Sequence, residues 1–171
     1  MARHNEYTVD FIEESREILS QLDVSAIEDC VSIIAQIKSQ GGRIFFIGSG
    51  GGAGHSSHAA CDYRKLAGIE SYSVSDNISE LTARVNDESW ATAYSEYLKV
   101  SRLSSKDLLF VISVGGGDKV KRVSENLTSA MDLAKSVEAK VVGIAGRDGG
   151  YLGQVADAVI IVPTINSSNV T

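Results

Sequence analysis

Three apolar runs in this chain break directly into glycine clusters, and that repeated junction constrains the fold more than any other feature. Arg43–Gly48 (RIFFIG) enters Gly48-Ser49-Gly50-Gly51-Gly52-Ala53-Gly54. Asp107–Val114 (DLLFVISV) enters Gly115-Gly116-Gly117-Asp118, and Lys140–Ala145 (KVVGIA) enters Gly146-Arg147-Asp148-Gly149-Gly150. A further run, AVIIV at Ala158–Val162, closes the series. The centres of these runs are not interrupted by polar residues, the pattern of strands covered on both faces. Helix-type segments lie between them. Strand, glycine turn, helix, strand is the repeating unit of an α/β fold, here expected as a three-layer α/β/α sandwich around a mainly parallel sheet. Turns at the C-terminal ends of the strands are where such sheets bind ligands.

Two helices are expected ahead of the sheet. Residues 7–22 carry Val9, Ile12, Ile18, Leu19 and Leu22 roughly on one side. Ser25, with Glu28 as box partner, is the expected cap of a second helix that stops at Gln40-Gly41-Gly42. Further helices are expected at 53–67, 79–84, 90–103, 119–137 and 151–155, with a weaker strand at Ser71–Ser75. The organisation is thus one domain over 1–171, with N-terminal helices in 1–40 and the sheet core in 43–163. Pro163–Thr171 reads as a polar loop. Whether the polypeptide stops there or is shortened is left open by the residues.

Composition narrows the function classes. A chain of 171 residues with 43% hydrophobic content and one proline is an ordinary globular profile. A net charge of −6 argues against nucleic-acid partners bound by bulk charge, but leaves room for a small phosphorylated ligand. Cys30 and Cys61 have no metal-pair spacing and read as free thiols of a reducing compartment. The polar N-terminus and the short apolar runs exclude a signal peptide and a membrane span of ~20 residues. A cytoplasmic protein without a membrane partner is expected.

The first glycine loop has no Gly-Lys-Ser/Thr and so is no P-loop; it meets the dinucleotide pattern only in its looser form, ending on Ala53. His55, His58 and Asp62 fall on one side of the following helix, where an imidazole and a carboxylate can bind zinc, transfer protons, or simply pair as a surface salt bridge. Ser113 and nearby backbone N–H groups suit a phosphate. Asp118 is either a contact to a sugar hydroxyl or the N-cap of the helix at 119–137. Lys119, Lys121 and Arg122 either offset ligand charge or form a solvated face. Asn86, Asp87, Glu88 and Trp90 cluster ahead of a helix, with Trp90 packing in the core or between subunits, and Asp148 suits a cap for the helix after it.

With those residues in order, the chain resembles the sugar isomerase (SIS) domain family, in particular its phosphoheptose isomerase type. The resemblance rests on the GSGG turn at 48–51, His58 with a carboxylate at Asp62, Asn86-Asp87, the serine–glycine turn from Ser113, and GRDGG at 146–150. It implies an aldose–ketose isomerase acting on a sugar phosphate, sedoheptulose 7-phosphate to D-glycero-D-manno-heptose 7-phosphate. It further implies zinc as cofactor and a homotetramer with sites at subunit interfaces. By position it makes His58 and Asp62 both catalytic and metal-binding. It assigns substrate contacts to Ser49, Gly50, Gly51, Gly52, Asn86, Asp87, Ser113, Gly115, Gly116 and Asp118. It also implies a C-terminal helix with a second catalytic and zinc-binding histidine, beyond Thr171.

The departures are specific. Ser49 stands where the family has asparagine, and Asp62 where it has the catalytic glutamate. Of the usual phosphate-binding hydroxyls, only Ser113 is kept, the others falling on Gly52, Val114, Gly115 and Asp118. The alternative reading is a non-catalytic SIS-domain protein that binds or senses sugar phosphates.

Overall fold

The computed structural model describes residues 3–166. Two helices lead, α1 (Arg3–Ser20) and α2 (Val24–Ser39). The alternating body follows: β1 (Ile44–Gly48), α3 (Gly51–Lys65), β2 (Ser71–Ser73), α4 (Ile78–Asp87), α5 (Ala93–Val100) and β3 (Leu108–Ser113). It closes with α6 (Glu125–Ser136), β4 (Lys140–Gly146), α7 (Gly150–Val155) and β5 (Ala158–Val162). The polar tail expected at 163–171 is described only to Asn166, residues 167–171 lying outside the described residues.

The strands form one parallel sheet in the order β2-β1-β3-β4-β5, so the expected α/β sandwich is what the chain adopts. Successive side chains on a strand point to opposite faces, and the core divides accordingly. Phe45, Ile47, Leu109, Val111 and Val141 pack against Tyr94 and Leu98 of α5, Leu127 and Met131 of α6, and Leu152 of α7. Ile44, Phe46, Leu108, Phe110 and Val142 pack on the other face against Cys30 and Ile37 of α2 and Ala60 of α3. Burying such side chains stabilises by about 1.5–3 kcal/mol each. Two buried faces are the reason these runs carry no polar alternation.

A buried ion pair fixes the end of the sheet opposite the glycine loops. Asp107, buried just before β3, accepts from Arg43 Nε at 3.1 Å, from Arg43 Nη2 at 2.8 Å and from the Arg43 backbone N–H at 3.0 Å. It also takes both donors of Ser104. The remaining guanidinium hydrogens reach the carbonyls of Ser101 and Arg102.

Several boundaries differ from expectation for local reasons. The cap of α2 is Asp23, not Ser25: the helix starts at Val24, and Asp23 Oδ1 accepts from Ser25 N at 2.8 Å and Ala26 N at 3.3 Å. Helix α4 runs through Asn86 and Asp87 instead of stopping at 84. Arg84 bridges Glu80 at 2.8 Å and Glu88 at 3.3 Å, one turn to either side, which favours continuation. The helix expected at 119–137 begins only at Glu125. Asp118 caps no helix there. Its Oδ1 accepts from Val120 N at 2.9 Å and Lys121 N at 2.8 Å, and an antiparallel bridge from Asp118 to Val123 closes a small loop.

Candidate functional site

The C-terminal ends of β1, β3 and β4 open into a cleft of about 680 Å³. Its floor is the first glycine loop, the β3 loop and the β4 loop; the segment after β5 forms part of its wall. Close backbone contacts hold these loops. A Cβ on Gly52 would fall 2.5 Å from the Ile112 carbonyl oxygen, so the start of α3 sits directly on β3. Gly116, at φ +69°, lies so near the β4 loop that a Cβ would fall 1.8 Å from the Gly149 carbonyl oxygen. Tyr151 N donates to Gly117 O at 2.8 Å and Leu152 N to Gly116 O at 3.0 Å, locking the β3 loop onto the first turn of α7. Asp148 Oδ1 accepts from Gly150 N at 3.0 Å at that same helix start.

Side chains from behind the sheet support the first loop. The buried Tyr94 hydroxyl donates to Gly48 O at 2.8 Å. Burial raises the Tyr94 phenol above its ordinary value, outweighing its polar contacts with Asn126 and Ser75, so it remains a protonated donor. Trp90 packs edge-on against the Tyr94 ring at 5.7 Å. Asn126, 0% exposed at the start of α6, donates from Nδ2 to Ser49 Oγ at 3.1 Å.

Of the residues expected at the site, Ser49, Gly51, Gly52, Ser113 and Gly115 line this cleft together with His55. Ser113 Oγ accepts from Gly116 N at 3.1 Å, which shapes the β3 turn. Gly50, at φ +56°, is the residue from which α3 begins. Gly116 lies buried behind the lining. Asp118 faces a second hollow with Lys119, Lys121, Asp148 and Tyr151. Its carboxyl is held below the usual range, first by the Lys121 backbone N–H and also by that of Val120. Asn86 and Asp87 are exposed at the end of α4, hydrogen-bonded to each other at 2.7 Å, and do not line the cleft.

His58 and Asp62 form a pair on α3, Nε2 to Oδ2 at 3.3 Å, open to solvent; they lie further along the helix than His55 and do not line the cleft. Their side chains are 80% and 44% exposed. The lining also contains Arg147 and Ser124, and Asn126 stands behind it. Arg147 lies in the GRDGG turn that the sequence singles out, though without a role of its own, and Ser124 and Asn126 fall inside a segment that reads as helix.

The chain is similar to known proteins over most of its length. The SIS domain family model matches residues 10–146. The lincomycin biosynthesis protein LmbN of Streptomyces lincolnensis is 32% identical over 158 residues, 89% of this chain and 57% of that protein, so this chain spans little more than half of its length. A phosphoheptose isomerase of Helicobacter hepaticus is 32% identical over 144 residues, 81% of this chain and 69% of the relative. Among solved structures, phosphoheptose isomerase GmhA from Neisseria gonorrhoeae superposes with a TM-score of 0.83 at 22% identity, covering 98% of this chain and 88% of that one.

Proposed function

The chain belongs to the SIS domain family, to its phosphoheptose isomerase type, and from that premise we propose that it isomerises a sugar phosphate, sedoheptulose 7-phosphate to D-glycero-D-manno-heptose 7-phosphate. The observation that carries the reading is the His58–Asp62 pair, 3.3 Å apart on the helix whose first residues and His55 line the cleft at the strand ends.

The reaction moves one carbon-bound proton. A base takes the proton from C1 beside the C2 ketone, an enediolate forms, and the proton returns to C2 while the hydroxyl proton passes from O1 to O2. Asp62 is the carboxylate for the carbon-bound proton, and His58 orients it and polarises the oxygen side. The glycine loop and Ser113 seat the ligand at the strand ends. Asp62 is one methylene shorter than a glutamate, so the substrate carbon must approach α3 more closely by ~1 Å.

His58 and Asp62 fit a zinc ion as half of a four-ligand set, an imidazole and a carboxylate on one helix face. No group of three or more such ligands occurs among the described residues, so further ligands would come from elsewhere in the assembly. Zinc in that position supplies Lewis-acid polarisation of the sugar carbonyl.

Proton transfer also needs water excluded, and a pair this exposed needs a cover. Tyr7, Phe11, Ile12 and Leu19 present an exposed apolar surface on α1. A homotetramer that buries such surface and closes the site at an interface is the assembly this reading requires. No described helix is long and apolar enough to cross a membrane, and Cys30 and Cys61 are both free; the reading places the enzyme in the cytoplasm.

The test is conversion of sedoheptulose 7-phosphate by the zinc-supplemented protein, compared with Asp62→Asn. Turnover in the wild type that falls at least ~10²-fold in the variant supports the assignment. Undiminished turnover in Asp62→Asn removes Asp62 as base, and tight binding without turnover in the wild type makes the protein a sugar-phosphate sensor.

A further inference from the structure

We propose that the phosphate end of the ligand docks on Arg147, assisted by the Ser124 hydroxyl, in place of a row of serine hydroxyls on the β3 turn. The inference rests on the sugar-phosphate reading above and assigns the residues that recognise the anion.

The β3 turn cannot do this alone. Val114 and Gly115 offer no hydroxyl, Asp118 lines the neighbouring hollow that Arg147 also borders, and Ser113, whose Oγ accepts from Gly116 N, has a single O–H to donate. Gly52 cannot become a serine without displacing α3, because its Cβ would meet the Ile112 carbonyl oxygen.

Arg147 fills that deficit. Among the described residues lining the cleft it is the only lysine or arginine. Its neighbours in charge are neutralised: Lys119 pairs with Asp132 at 2.7 Å, Lys121 with Asp118 at 3.7 Å and Arg122 with Glu125 at 2.8 Å. Arg147 has no ion-pair partner among the described residues. Among the described lining residues the carboxylate is Glu14, which accepts from Asn166 Nδ2 at 2.9 Å and keeps its charge. Arg147 is exposed and borders both this cleft and the neighbouring hollow with Asp118 and Asp148, and its planar fork matches two phosphate oxygens.

The backbone aims it. Arg147 adopts φ +56°, a left-handed conformation unusual for a side chain of its size. Its Nη1 lies 3.3 Å from where a Cβ on Gly115 would stand, so the guanidinium borders the space above Gly115. A side chain at 115 would crowd it and make it shift by a few tenths of an ångström. Ser124 lines the same cleft, also left-handed at φ 56°, and its side chain makes no cap bond to α6, which leaves the hydroxyl for a ligand.

The experiment is calorimetric titration of the full chain with sedoheptulose 7-phosphate, unphosphorylated sedoheptulose and inorganic phosphate. Arg147→Gln should weaken both phosphate-bearing ligands at least ~10-fold and leave sedoheptulose unchanged, with Arg147→Lys between the two. Gly115→Ser should also weaken phosphate, although it adds a hydroxyl. Circular dichroism melts check folding, and the lysine variant carries the test if glutamine does not fold. Wild-type phosphate affinity in Arg147→Gln, equal loss of both sugars, or no phosphate binding by the wild type overturns the proposal. Arg147-dependent binding of inorganic phosphate without preference for the heptose phosphate upholds the anion site and removes the heptose substrate instead.

Discussion

Asn126 Nδ2 reaches Ser49 Oγ at 3.1 Å and so ties the first turn of α6 to the first glycine loop. Asn126 is buried, and its Oδ1 has no hydrogen-bond partner among the described residues. Asn126→Ala therefore removes one useful bond and some packing, each of about 1 kcal/mol, and also an unpaired acceptor that costs about 1–3 kcal/mol. Stability in urea should change by less than about 1 kcal/mol, while sugar-phosphate affinity falls severalfold as Ser49 loses its tether. A loss above about 3 kcal/mol would instead make Asn126 a pillar of the fold.

Gly52→Ser tests whether a hydroxyl can be restored to the first loop. The new Cβ would lie 2.5 Å from the Ile112 carbonyl oxygen, a backbone atom that cannot swing away. Denaturation should show a loss of about 1–3 kcal/mol, as for overpacking elsewhere. Titration should show no gain in phosphate affinity; a stable variant that binds more tightly would mean that α3 slides freely on β3.

Ser124→Gly should separate stability from binding. Ser124 holds φ 56° and ψ 49°, a region where glycine is unstrained. The relief of about 1 kcal/mol or more is partly offset by the extra freedom of glycine in the unfolded chain, about 0.4–1 kcal/mol. The melting temperature should hold or rise while phosphate binding weakens. A fall in both would mean that the Ser124 side chain supports the fold.

Asp107 gives the chain an acid limit. Burial pushes its carboxyl upward, but the hydrogen bonds from Arg43 and Ser104 outweigh that and hold it below the ordinary value. A carboxyl lowered in the folded state stabilises fully above its unfolded value of about 3.9 and loses that contribution as pH falls through the folded value. Urea midpoints should therefore drop below about pH 4. Asp107→Asn should flatten that part of the profile and cost about 3–5 kcal/mol at neutral pH, since Arg43 loses its counter-charge. An unchanged acid limb in the variant would assign the sensitivity to other carboxylates, Asp157 first.

The sheet was legible because its central strands β1, β3 and β4 are largely buried on both faces and carry uninterrupted apolar runs, whereas the edge strand β2, Ser-Tyr-Ser, carries none. The glycine turns were legible for a related reason: backbone packed on backbone, as at Gly52 and Gly116, admits no side chain. Local competition was harder to read. Asp23 and Ser25 are both good caps, and which one acts depends on where the helix starts. The stretch from Lys119 to Ser124 has helical composition, yet Asp118 binds the N–H groups of residues 120 and 121 and folds it into a loop. The cleft was legible only where its residues follow a glycine turn. Arg147 follows such a turn, whereas Ser124 lines the cleft and Asn126 backs it through packing between elements far apart in sequence, which spacing along the chain does not encode.

Trp90 is the only tryptophan of the chain. Its indole rests on the Tyr94 ring, and the Tyr94 hydroxyl holds the carbonyl of Gly48, the first residue of the ligand loop. The molecule thus has a built-in optical gauge. Emission from one native fluorophore, linked to the loop by one ring contact and one hydrogen bond, is expected to change when the cleft fills, and a ligand titration read by fluorescence checks this.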